Sequence, residues 1–148
     1  MTTTAPLVDG RVIGLAHYAG RAVLESVLAR HGVTFQQFVT LRLVVVADGP
    51  VERERLVDGV VGTLKTNAQD VHRVIEELVG AQLLAQEEPS RLRVTDAGRE
   101  LYDTGSAETG AISARIYAGI PAEDLAVAGR VLTLVTERAN AELATAGK

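Results

Sequence analysis

The sequence predicts a mainly α chain with one small β-hairpin, and three observations carry that prediction. Apolar residues recur at helical spacing in six separate segments. One stretch, "LLAQEEPSRLRVTD", reads as two short extended runs about Glu88-Pro89-Ser90, a hairpin signal. The apolar residues, 47% of the 148, are nearly all aliphatic, with aromatics at only 3%, so the core is one of Leu, Val, Ile and Ala packed between helices. That length suffices for one compact domain with one core, which a dimer could share.

From about Val8 to His31 the residues Val12, Ala16, Ala19, Val23 and Val27 fall on one helical stripe, widened by Leu15, Ala22 and Leu28. Gly10, Gly14 and Gly20 would each cost up to ~1 kcal/mol in a helix interior, so a close helix contact or a ragged start near Gly10 is expected. Thr34 and Gln37 form a capping-box pattern that opens "TFQQFVTLRLVVVA", and Asp48-Gly49-Pro50 closes it. A third, short helix, "ERERLVDGVVGTL", carries Leu56, Val60, Val61 and Leu64 inward. Thr66 or Asn67 caps a fourth, in which Val71, Val74, Ile75 and Leu78 stand at i, i+3, i+4 and i+7. That spacing buries one face and leaves the other free.

After the hairpin, Thr95 to Gly98 opens a fifth helix, and the weakly patterned "DTGSAETGA" predicts a bend or fraying within it. Ile120-Pro121-Ala122-Glu123 starts a last helix with proline at its first position and acids in its first turn. Its stripe is Leu125, Ala128, Leu132, Val135 and Ala139, broadened by Val131 and Leu134.

Several function classes are excluded or disfavoured. With no cysteine, disulfides, thiolate-bound zinc and thiol-based sensing are ruled out. No nucleophile or metal-spaced cluster accompanies His17, His31 or His72, and no zinc-binding or phosphate-loop motif occurs. The expectation is therefore no enzyme, no catalytic residue, no cofactor and no metal. The N-terminal "MTTTAP" has no basic region leading into an apolar run, and no segment reaches ~18 uninterrupted apolar residues. A cytoplasmic protein without a membrane partner is expected.

A short helix, a tight turn, a second helix with a free polar face and then a hairpin is the layout of a winged helix-turn-helix, whose second helix enters the major groove. The stretches "LVDGVVGTLKTNAQDVHRVIEELVGAQLL" and "RLRVTDAGRELYD" resemble the winged-helix core of the MarR family of transcriptional regulators, and "TFQQFVTLRLV" resembles the family's preceding helix. The resemblance covers nearly the whole chain. It implies a single domain over 1–148, with a winged-helix lobe at about 48–103 and a helical dimerisation lobe built from about 7–31 and 104–146. It further implies a homodimeric, ligand-responsive repressor that reads a pseudo-palindromic operator in double-stranded DNA and is relieved by a small, often aromatic or phenolic, acid. The alternative function is a winged-helix dimer serving as a protein-interaction module without DNA binding.

Candidate DNA contacts on the free face of the fourth helix are Asn67, Gln69, His72 and Arg73. Gln69 suits adenine, Arg73 suits guanine or phosphate, and His72 can donate or accept. Arg91 and Arg93 are the only cations in the wing. The alternative for each is a solvated residue on an exposed face. The resemblance assigns Arg11, His17 and Tyr18 on the first helix to a ligand site, an arginine fork being suited to a carboxylate; otherwise Arg11 is a surface cation and His17 a core or interface histidine. Phe35, Phe38, Arg42, Arg115 and Tyr117 are further pocket candidates. The absence of tryptophan disfavours the urate-responsive subgroup.

Three departures from the family pattern stand out. The wing connection from Glu87 to Arg91 is short, Gln82 occupies the usual glycine position before the wing, and Asn67-Ala68-Gln69 replaces a serine-rich entry to the fourth helix. Between Asp48 and Asp103 twelve acids face seven Lys and Arg residues, a net charge of −5 within a chain of net −4. Phosphate neutralisation supplies most non-specific affinity, so binding away from cognate sites is expected to be weak and sharply salt-dependent.

Overall fold

A computed structural model of the chain describes residues 5–147; the first four residues of the N-terminal segment lie outside them. The elements run α1 (Gly10–Arg30), α2 (Phe35–Ala47), β1 (Val51–Glu52), α3 (Arg53–Leu64), α4 (Ala68–Gly80), β2 (Leu84–Glu87), β3 (Arg91–Val94), α5 (Asp96–Tyr117) and α6 (Ala122–Ala146). They fall into two compact units, one up to Gly110 and one from Ala111 onward.

In the first unit, caps set the helix starts that the sequence marks. Asp9 accepts from the Val12 amide ahead of α1, the Thr34–Gln37 capping box is complete, and Asn67 rather than Thr66 caps α4. The ends of α2 and α3 turn through left-handed residues, Asp48 (φ 52°) and Lys65 (φ 57°). The second of these makes the tight turn between α3 and α4.

The core joins Leu41 and Val44 of α2, Leu56, Val57 and Val60 of α3, Val71, Val74, Ile75 and Leu78 of α4, and Leu84 and Leu92 of the sheet. Burying each such side chain contributes ~1.5–3 kcal/mol, whereas each β-branched residue in a helix costs no more than ~0.7 kcal/mol. Packing therefore overrides the modest helix propensity of the valine-rich α4. On α3, Val61 and Leu64 are only half-buried and Val57 takes the interior position the stripe had not included.

The hairpin forms as expected, with Leu84 paired to Val94 and Glu87 to Arg91, but it belongs to a three-stranded antiparallel sheet of order β1-β3-β2. β1 is too short to leave a periodic signal: Val51 pairs with Leu92 and Glu52 with Arg91. Two other expectations need correction. α5 is one continuous helix through "DTGSAETGA". Its small residues mark close approach rather than fraying, since Gly105 is buried and a Cβ there would stand 3.1 Å from the Phe38 ring, which stacks on Tyr102 at 5.4 Å. Pro121 is the residue before α6, not its first helical residue. Gly10 and Gly20 face open space within the chain, and Gly14 meets only Tyr18.

α1 is long and apolar enough, by length and composition, to cross a membrane, with a mean hydropathy of 1.2 over 18 residues. Arg21 would then lie at its midpoint, bonded to Glu25 at 2.7 Å, and each charge at a bilayer centre costs ~2.5–3.5 kcal/mol. Arg21 instead stacks over the Phe35 ring at 4.4 Å, and Val27 and Leu28 are buried.

In the second unit, no residue of α6 is buried within the chain, and Leu125, Val131, Leu132, Leu134 and Val135 are between 36% and 43% exposed.

Candidate nucleic-acid interface

α4 combines a fully apolar face, whose four core residues are at most 4% exposed, with a polar face carrying Gln69, His72, Arg73 and Glu76. Gln69 and Arg73 are exposed and stand one helical turn apart, so they lie above one another on one side. Gln69 makes no side-chain hydrogen bond among the described residues. Arg73 donates Nη2–H to Asp70 Oδ1 at 2.7 Å, and Asp70 Oδ2 accepts from Asn67 Nδ2 at 3.0 Å. Asn67 thus spends both ends of its amide on Asp70, because its Oδ1 also accepts from the Asp70 backbone N–H at 2.8 Å. Its role is to start the helix and brace the carboxylate that holds Arg73.

His72 is half-buried. Arg53, on the first turn of α3, donates Nε–H to His72 Nδ1 at 3.1 Å and Nη2–H to Glu76 Oε1 at 2.9 Å. Arg53 carries no local signal of this contact, since a bond to a residue 19 positions away is set by how α3 crosses α4.

In the wing, strand alternation puts Arg91 and Arg93 on the outer face and Leu92 in the core. The two cations are not equivalent. Arg91 lies 4.0 Å from Glu52 and is the cross-strand partner of Glu87, whereas Arg93 pairs with Ala85. Of the seven cations between Asp48 and Asp103, four lie within 4.0 Å of carboxylates: Arg53, Arg73, Arg91 and Arg99. The acidic balance read from the sequence is therefore expressed as local pairing of four of these cations, Arg73 and Arg91 of the candidate DNA contacts among them.

Arg11, His17 and Tyr18 are all exposed on α1. At about 100° per residue, Arg11 and Tyr18 lie within roughly 20° of one another, while His17 is about 120° from Arg11. The helix thus brings two of the three to one face. The His17 ring meets Tyr18 edge-on at 5.8 Å. Among the other pocket candidates, Phe38 is buried in the core, Phe35 is covered by Arg21, and Arg42, Arg115 and Tyr117 are exposed. A separate cavity of about 250 Å³ is lined by His31, Val33, Gln37, Glu77, Leu83 and Leu101, among others. Its polar groups are already paired: Gln37 with Glu77 at 3.3 Å and His31 with Glu108 at 3.1 Å. Among the described residues no cluster of His, Asp and Glu is arranged to hold a metal.

No family model matches the sequence, and no curated protein matches it in a sequence search. Solved structures do match. The reduced form of MarR from E. coli aligns with a TM-score of 0.69 at 16% identity, over 88% of this chain and 95% of that one. A MarR-family protein of Mycobacterium tuberculosis, solved in complex with DNA, aligns with a TM-score of 0.67 at 23% identity, over 89% and 98%. CouR from Rhodococcus jostii, solved with p-coumaroyl-CoA bound, aligns with a TM-score of 0.69 at 21% identity, over 84% and 87%. With α4 and the wing in the helix-turn-helix arrangement and near-complete alignment to several such regulators, the chain has the winged helix-turn-helix fold of the MarR family.

Proposed function

We propose that this chain is a MarR-family regulator: a homodimer that binds a pseudo-palindromic operator through α4 and the wing, represses transcription, and is released by a small aromatic or phenolic acid. The observation that carries this reading is the polar face of α4, where Gln69 and Arg73 stand one turn apart beside His72 on a helix anchored by four buried residues. The DNA complex of the Mycobacterium tuberculosis neighbour supports the same use of the fold. A second copy of this chain is what would cover the apolar residues of α6. An acid would dock its carboxylate on Arg11 and its ring along Tyr18, with His17 offering a hydrogen bond from the side; the ligand-bound CouR structure supports small-molecule control. A coupling of ~1–3 kcal/mol between ligand and DNA is enough for release.

Selection of bound fragments from random genomic DNA tests this. A recovered palindrome whose affinity falls steeply with salt is the expected outcome. Titrating phenolic acids into that complex should release DNA from the native chain and fail to do so in Arg11→Ala.

The second reading, a protein-interaction module, is favoured by one observation: four of the lobe's seven cations are already paired with carboxylates in a region of net charge −5. Retention of no fragment in the same selection would favour it over the first.

A further inference from the structure

Arg53 reaches across the helix-turn-helix from α3 to α4. Its side chain is only 23% exposed, and its backbone N–H is bonded to the Ser90 carbonyl in the wing turn at 2.9 Å. Both ends of the residue are therefore held, one by the wing and one by the recognition helix.

A guanidinium has five N–H donors and no acceptor, so any ring nitrogen it bonds must offer a lone pair. Arg53 Nε bonds His72 Nδ1. A neutral imidazole that accepts at Nδ1 carries its proton on Nε2. Nε2 has no hydrogen-bond partner among the described residues and is not sealed from solvent. The second guanidinium contact, to Glu76, keeps that carboxylate turned to Arg53 rather than toward the ring.

We propose that Arg53 is a specificity-determining positioning residue: by donating to His72 Nδ1 it fixes the Nε2–H tautomer and presents His72 to the major groove as a hydrogen-bond donor only. The groove half of this inference rests on the DNA-binding reading above; the tautomer half does not. A free histidine can match either a donor or an acceptor on a base edge. A donor-only histidine selects purine N7, guanine O6 or thymine O4 and rejects the amino groups of adenine and cytosine. A residue with no direct view of the DNA thus narrows what its neighbour reads.

The tautomer is read in the full-length, ¹⁵N-labelled protein by long-range ¹H–¹⁵N correlation of the imidazoles at mildly alkaline pH, the His72 signals being assigned by their loss in His72→Gln. The expected pattern is Nε2–H in the native chain and in Arg53→Lys, whose ammonium also only donates, and a tautomer average in Arg53→Met. An Nδ1–H pattern in the native chain, or a pattern unchanged in a folded Arg53→Met, overturns the inference and leaves the DNA-binding reading standing. Should Arg53→Met not fold, the native and Arg53→Lys spectra still decide the tautomer.

The groove half uses DNA recovered by the genomic selection, carrying 7-deazapurines or single neutral methylphosphonates. One 7-deazapurine position per half-site should weaken the native chain about tenfold and His72→Ala hardly at all. The same pattern at a methylphosphonate instead would place His72 on a phosphate, which carries no sequence information, and overturn the specificity role. Sensitivity at neither, with none when guanine O6 or thymine O4 is removed by 2-aminopurine or 5-methyl-2-pyrimidinone, overturns the groove half. Recovery of no DNA overturns the DNA-binding reading and the groove half with it.

Discussion

Arg73 is bonded to Asp70 at 2.7 Å across one turn of α4, and Asp70 is in turn held by Asn67. The aspartate both orients the guanidinium and cancels its charge. Arg73→Ala should weaken operator binding by ~1–3 kcal/mol if the fork reads a guanine, or lower the salt slope by about 1 if it neutralises a phosphate. Asp70→Asn, which keeps the shape and removes the charge, should raise affinity for scrambled DNA while narrowing the operator's advantage several-fold. Anisotropy titrations on both DNAs across a salt series separate these outcomes, and unchanged affinity and slope in Arg73→Ala would remove α4 from the interface.

The wing arginines should differ in effect although they share a face. Arg91 stands between Glu52 and Glu87, while Arg93 is opposite Ala85. Phosphate binding by Arg91 must first break its local attraction, so Arg93→Ala should weaken binding to all DNAs several-fold and reduce the salt slope by about 1. Arg91→Ala should do less than half as much. Equal losses in the same titration would mean that the attraction between Arg91 and Glu52 does not hinder phosphate binding.

Gly98, in the first turn of α5, packs directly against the Leu83 carbonyl before the wing, and a Cβ there would overlap that oxygen and stand 3.0 Å from the Val94 side chain. The neighbour is backbone and cannot rotate away. Gly98→Ala should therefore destabilise the fold by about 2–3 kcal/mol, seen as a lower urea midpoint at unchanged slope. A near-native midpoint would show that the start of α5 shifts freely.

Gln82 adopts φ 63° at the entrance to β2, the position where the family resemblance places glycine. A left-handed non-glycine residue costs ~1–2 kcal/mol, and glycine gives back ~0.4–1 kcal/mol through the unfolded chain. Gln82→Gly should thus stabilise by up to about 1.5 kcal/mol, measured as a raised midpoint in the same denaturation experiment, with DNA affinity unchanged.

What could be read from the sequence follows from which interactions are local. The face of α4, the Thr34–Gln37 cap and the hairpin about Glu88-Pro89-Ser90 are written in a period of 3.6, in residues three apart and in turn chemistry, and all three stand as expected. β1, the continuity of α5 past Gly105, and the Arg53–His72 bond depend on partners 19 or more residues away. For the same reason Gln69, His72 and Arg73 could be named on the free face of α4, while the Arg53 that holds His72 could be counted among the cations but not placed.

The apolar residues of α6 give the dimer a direct test. None is buried within the chain, yet Leu125, Leu132 and Val135 recur on one side of a helix whose other side carries Glu137. If a second copy covers that side, an ionised carboxylate placed there is desolvated without a partner, which costs several kcal/mol per subunit. Leu132→Glu combined with Val135→Glu should therefore convert the species seen by light scattering from dimer to monomer, and should abolish binding to a two-half-site operator more than to a single half-site. Glu137→Lys, a larger change of charge on the opposite side, should leave the mass unchanged. A native chain that is already monomeric, or a double variant that stays dimeric, would move the interface off α6.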